Sequence, residues 1–159
     1  MATILVQMAD TKWTTLAVRA ACKLAQDQQA SVTLVKMLPA TNLNWLGMDA
    51  SEYRFSESET GDIAAYQAIA AEYGLTLATA VYKYDDLAEG IARAADDLLA
   101  ESVIVRETVN GHRLVHSSTA EIHHLDELLE AHYHHLYVVN PPAVAPDNWS
   151  PVAEAVHHD

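Results

Sequence analysis

The chain has 159 residues, half of them hydrophobic, which suits one domain with a packed core and excludes disorder throughout. Nine Lys and Arg stand against 22 Asp and Glu, a formal net charge of −13. With no basic cluster to neutralise phosphates, nucleic acid and anionic membrane surfaces are excluded as partners, and no apolar run approaches the roughly 18 residues that cross a bilayer.

Met1 to Met8 has no basic residue ahead of an apolar stretch and no cleavage pattern, so it is not a signal peptide. Its core, Thr3 to Met8, is a short β-branched run typical of a buried strand. Asp10 follows as a helix cap, and Trp13, Leu16, Ala17, Ala20 and Leu24 then recur at helical spacing to about Gln28. Cys22 lies in this helix as a buried small hydrophobe. As the single cysteine it allows no disulfide within the chain, which fits a cytoplasmic location. Ser31 to Leu38 is a second strand, stopped by Pro39.

Ala40 to Thr60 is a long connection carrying Trp45, Leu46, Met48, Tyr53 and Phe55. Such a loop is either a lid or partner surface, or a local cap on the core. A helix follows from about Glu59 to Tyr73, with Ile63, Tyr66, Ala70 and Tyr73 inward and Gly74 as its stop. Leu75 to Tyr84 is a third strand. Asp86 caps the next helix, which runs to about Ala100 with Leu87, Ile91, Ala94 and Leu98 inward. Ser102 to Val109 is a fourth strand. Asn110-Gly111 then signals a hairpin, because both central residues of a type I′ turn need positive φ, so His112 to His116 is expected to return along the fourth strand. Ser118 caps a helix from Thr119 to about His134, with Ile122, Leu125, Leu129 and His132 or Tyr133 inward. Leu136 to Val139 is a fifth strand, ended by Pro141-Pro142.

Alternation of this kind predicts a three-layer α/β domain over residues 1–140, with a mostly parallel five-stranded sheet, helices on both faces and an extra hairpin after strand four. Residues 141–159 form a Pro-containing tail in which Trp149 is an anchor to the body or to a second subunit. Ligands of such sheets bind at the carboxyl ends of the strands, where the strand order reverses. That directs attention to Ala9, Asp10, Leu38, Asp85 and Glu107 with their neighbours.

The pattern resembles the universal stress protein family over roughly residues 3 to 140. The resemblance is carried by Ile4-Leu5-Val6, by Leu16-Ala17, Ala20-Ala21 and Leu24-Ala25, and by Ser31 through Pro39. It continues in Ala70 through Leu75, Ile91-Ala92, Ala94-Ala95, Ser102 through Val105 and Leu136 through Asn140. It implies an adenine-nucleotide-alpha-hydrolase-like fold and dimer formation through the last strand. Nucleotide-binding members carry an Asp at the end of strand one and a Gly-x2-Gly-x9-Gly-Ser/Thr run after strand four. Here Ala9 stands nearest the family Asp and Asp10 comes one residue late. After strand four there is only Gly111, with Ser117 and Ser118 nearest the closing Gly-Ser/Thr at too short a spacing. A loop that cradles phosphate needs several inward backbone N–H groups, which glycines permit. The ligand-binding candidates are therefore Ala9, Asp10, Leu38, Gly111, Ser117 and Ser118, with no catalytic residue and no cofactor required.

Histidine is in excess: seven of nine fall between His112 and His135. On a continuous helix His123, Glu127, Glu130 and His134 share one face, a candidate metal set. The same residues also suit an ordinary solvated face, or a response to mild acid. The carboxylate pairs Asp85-Asp86, Asp96-Asp97 and Asp126-Glu127 read as a cap and exposed faces, and no nucleophile elbow, Walker loop or dinucleotide fingerprint is present. Three functions stay open. The first is a non-enzymatic, homodimeric stress-response module that binds a protein partner or small ligand. The second is an ATP- or AMP-binding member with a degenerate phosphate loop, and the third a metal-binding protein using the histidine-rich helix.

Overall fold

A computed structural model describes residues 2–106 and 115–139, with the backbone alone given at 44–46 and 115–121. Strand β1 (Thr3–Gln7) leads into helix α1 (Thr11–Gln28), and strand β2 (Ser31–Pro39) follows. The long connection holds a short helix α2 (Ala40–Leu46) and a 3-10 turn (Ala50–Glu52) before helix α3 (Glu57–Glu72). Strand β3 (Leu77–Tyr84), helix α4 (Leu87–Leu98), strand β4 (Ala100–Val105), helix α5 (Val115–Ala131) and strand β5 (His135–Val138) complete the described chain.

The five strands form one sheet in the order β3-β2-β1-β4-β5, with every pairing parallel. The chain winds outward from β1 to β3, then returns beside β1 as β4. The strand order thus reverses between β1 and β4, and a parallel sheet opens its ligand crevice at the carboxyl ends of those two strands.

Period-2 alternation divides the core. Ile4 and Val6 of β1 face α1 and α3 with Trp13, Ala17, Ala21, Tyr66 and Ile69, whereas Leu5 faces α4 and α5 with Ile91, Ala94, Leu125 and Leu129. Small residues on α1 and α4 let these helices approach the sheet closely. At Gly90 the fit is tightest: a Cβ there would lie 2.5 Å from Tyr84 Cβ and 3.0 Å from Met37 Cε.

Local signals explain the helix starts. The Asp10 carboxylate accepts from the Trp13 amide at 3.1 Å, and the Asp86 carboxylate from the Glu89 amide at 3.2 Å. Ser56 and Glu59 form a reciprocal capping box, which starts α3 at Glu57 rather than at Glu59. The connection after β2 is largely helical, and its Phe55 packs against the first core cluster while meeting Tyr53 edge to face. Pro39 ends β2 as its last paired residue.

Four sequence expectations need correction. Val115 and His116 are helical, so a strand reaching His116 does not form there, and Ser118 lies inside α5 rather than at its cap. The Asn110-Gly111 turn itself lies outside the described residues, as does the tail with Trp149. At its other end α5 stops at Ala131, short of His134. Tyr133 adopts φ 65° and is 90 % exposed, and His132 is exposed as well, so neither points inward. The His134 amide donates to the Leu129 carbonyl at 2.9 Å and the Tyr133 amide to the Glu130 carbonyl at 3.1 Å. That is a Schellman motif closed by a tyrosine where glycine is usual.

Candidate functional site

The carboxyl edge at the β1–β4 reversal is built by short-range chemistry at the strand ends. After β1 the chain passes Met8, whose amide donates to the Val35 carbonyl at 2.8 Å, and Ala9, whose amide donates to Thr14 Oγ1 at 2.9 Å. Asp10 then turns the chain into α1. One of its oxygens caps the helix and the other pairs with the Arg106 guanidinium, just beyond β4. The Arg106 amide donates in turn to Gln7 Oε1 at 3.0 Å. Asp10, Arg106 and Gln7 therefore stitch the two strands together across the reversal point. Past β5, the Val139 amide donates to the Val105 carbonyl at 3.2 Å, and the Val139 carbonyl accepts from Trp13 Nε1.

Beneath the α1 start, the buried Tyr66 hydroxyl lies near the Thr11 and Thr14 side chains but has no hydrogen-bond partner of good geometry among the described residues. Burial, and after it the charge of Asp62, raises its pKa, so it stays a neutral donor. Thr11 Oγ1 donates to Asp62 Oδ2 at 3.0 Å, tying α1 to α3. Within β2, Lys36 is paired with Glu59 of α3 at 2.8 Å, and the Tyr53 hydroxyl donates to the same carboxylate at 2.7 Å. Burial pushes the Glu59 carboxyl up, but the bonds from Lys36, the Ser56 amide and Tyr53 outweigh it and hold Glu59 at about 2. Arg106 and Lys36 are thus both matched by carboxylates of the chain itself.

Of the residues singled out from the sequence, Ala9, Asp10 and Leu38 all lie at this edge, with Asp10 exposed and Leu38 buried. Ser117 and Ser118 fall within α5, whose described backbone starts at Val115, and Gly111 lies outside the described residues. Sequence reasoning missed Arg106 and Gln7. A lone basic residue directly after a buried strand, in a chain with only nine Lys and Arg, was the signal available.

The histidine-rich helix does not assemble the expected metal set. His123, Glu127 and Glu130 are exposed on α5, but His134 lies past the helix end, because the left-handed Tyr133 takes the chain off the helical path. His134 instead meets Asp96 of α4 through Nε2 at 2.7 Å and the Ala100 carbonyl through Nδ1. His132 Nδ1 reaches the same carboxylate at 2.8 Å. Among the described residues, a second potential cation group, Asp86, Glu89 and His124, is exposed throughout. Cys22 is fully buried, and burial pushes its thiol up to about 11, which leaves it unreactive in the folded state. A shallow cleft of about 400 Å³ between Gln26, Gln29 and Leu75 sits at the amino edge of the sheet, away from the reversal point.

No protein-family model matches the sequence, and no curated protein matches it. Among the described residues no helix is long and apolar enough to cross a membrane. Solved structures do match. A universal stress protein in complex with cAMP superposes with TM-score 0.58 at 14 % identity, covering 87 % of this chain and 97 % of that one. The universal stress protein from Archaeoglobus fulgidus in complex with dAMP gives 0.58 at 11 % identity, covering 88 % and 98 %. A universal stress protein family member from Burkholderia pseudomallei gives 0.52 at 20 % identity, covering 87 % and 95 %. With the 3-2-1-4-5 parallel sheet and its two helical layers, these matches establish that the chain has the universal stress protein fold.

Proposed function

We propose that this chain is a universal-stress-protein-like module of the cytoplasm that acts in stress response by association rather than catalysis, as a homodimer joined through β5 and bound to a protein partner or small neutral ligand. The observation that carries this reading is the Asp10–Arg106 pair. It spans the crevice where a doubly wound sheet takes its ligand, and it pairs the guanidinium that directly follows β4 with a carboxylate of the chain itself. A phosphate entering there must compete with a carboxylate already in place. The glycines that would supply backbone N–H groups are missing, with Gly111 alone after β4. The edge position of β5 in the sheet supports the dimer, since an edge strand presents unpaired backbone groups to a second copy.

A second reading is favoured by the fold neighbours in complex with cAMP and dAMP. In it an adenine nucleotide displaces Asp10 and takes Arg106 onto its phosphate. Isothermal titration with AMP, cAMP and ATP separates the two. The first reading expects no binding below the millimolar range, and a micromolar Kd for any of the three favours the second. Light scattering tests the dimer, which a monomer at every concentration contradicts.

A further inference from the structure

The amino edge of the sheet carries a second arrangement, far in chain topology from the crevice. Asp96 sits in the last turn of α4, Ala100 opens β4, and His132 and His134 flank Tyr133 in the turn into β5. The Schellman turn makes this possible. It holds Tyr133 at positive φ, a conformation a bulky residue rarely adopts, and brings the imidazoles on either side of it onto one carboxylate of α4.

The hydrogen-bond chemistry of this cluster is incomplete on its own terms. The Ala100 carbonyl only accepts, so His134 Nδ1 carries the hydrogen that joins them. In the neutral imidazole that leaves Nε2 as a lone pair, and it faces Asp96 Oδ1 at 2.7 Å, an oxygen that also only accepts. His132 Nδ1 faces both oxygens of the same carboxylate at 2.8 and 3.0 Å. A neutral His132 donates from Nδ1 to this carboxylate, but the His134 Nε2–Asp96 Oδ1 contact joins two acceptors unless a positive species, a proton or a metal cation, lies between them. His134 is 9 % exposed and pinned by Ala100, which fixes its tautomer as the backbone-bonded second nitrogen of metal-bound histidines does.

We propose that Asp96, His132 and His134 bind a first-row divalent cation of the Zn²⁺ class through Asp96 Oδ, His132 Nδ1 and His134 Nε2. Two imidazoles and one carboxylate are a borderline-soft donor set suited to Zn²⁺ rather than to Ca²⁺ or Mg²⁺. The three donor atoms all lie within 4.8 Å of one another. Bonds of roughly 2.0–2.2 Å in a tetrahedron separate ligand atoms by about 3.3 Å. The oxygens therefore move outward by about half an ångström, and the exposed His132 and the partly exposed Asp96 are free to do so. Three protein ligands leave the fourth position to water. The net charge of −13 favours cation capture. The bound ion ties the α4 end to the turn that feeds β5, and so braces the edge strand.

The test is titration of the full chain with Zn²⁺, read by calorimetry and thermal unfolding, and with Co²⁺, read by its visible spectrum. Variants are His132→Ala and Asp96→Asn, both at solvent-reachable positions that spare the core. His123→Ala/His124→Ala and His157→Ala/His158→Ala are controls for other histidines. The expected result is one tight equivalent that raises Tm in the parent and both controls, weakened at least about tenfold in each of the two site variants. No binding, or binding that survives both His132→Ala and Asp96→Asn, overturns the proposal.

Discussion

Asp10 and Arg106, 96 residues apart in sequence, form an ion pair across the point where the strand order reverses. The same Asp10 carboxylate caps α1, so one side chain starts a helix and neutralises the cation of the crevice. Replacing it removes both effects. Asp10→Ala is expected to cost about 1–2 kcal/mol, mostly from the lost cap, because an ion pair this exposed contributes little. Thermal unfolding should fall by about 3–6 °C. The variant should also bind inorganic phosphate more tightly than the parent, a gain that the lost cap alone does not produce.

Trp13 fastens the far end of the sheet. Its ring is buried and its Nε1 donates to the Val139 carbonyl just after β5. Trp13→Phe keeps an aromatic ring but strips that carbonyl of its partner. The expected loss is about 2 kcal/mol, seen as a lower denaturant midpoint with faster amide exchange at β5 than at β1.

Gly90 sits in α4 where alanine would ordinarily help the helix by about 1 kcal/mol. Here the added methyl lands on Tyr84 Cβ, an atom held by the β3 backbone that cannot rotate away. Gly90→Ala should therefore destabilise, by about 1–3 kcal/mol net, measured by urea unfolding.

Acid should expose the Lys36–Glu59 pair. Glu59 titrates at about 2 in the folded protein against 4.5 ordinarily, so the unfolded chain binds the proton first. The stabilisation is complete above pH 4.5 and is lost as pH falls toward 2. It amounts to roughly 2 kcal/mol for a group mostly shielded from solvent. Glu59→Gln should be less stable than the parent at pH 7, with the gap narrowing across that window in chemical denaturation.

The sequence carried the architecture well because the sheet is buried on both faces. Runs such as Ile4-Leu5-Val6 and Val103-Ile104-Val105 have no other use, and Asp10 and Asp86 mark their helix starts by composition alone. The end of α5 was not legible. His134 follows Glu130 at helical spacing, and only the left-handed Tyr133, a conformation sequence does not favour there, takes it off the helix. The Asp96 cluster escaped for the same reason, since it joins residues from two elements whose approach is set by tertiary packing. At the crevice Asp10 was visible but its partner was not, because nothing local to Arg106 specifies which carboxylate it meets.

Arg106 belongs to Asp10 and not to a ligand phosphate. Side-chain NMR of the arginine Nε–H groups during titration with AMP reads this directly. The Arg106 signal is expected to stay in place up to millimolar AMP in the parent chain. A saturable shift of that signal at micromolar AMP would contradict it.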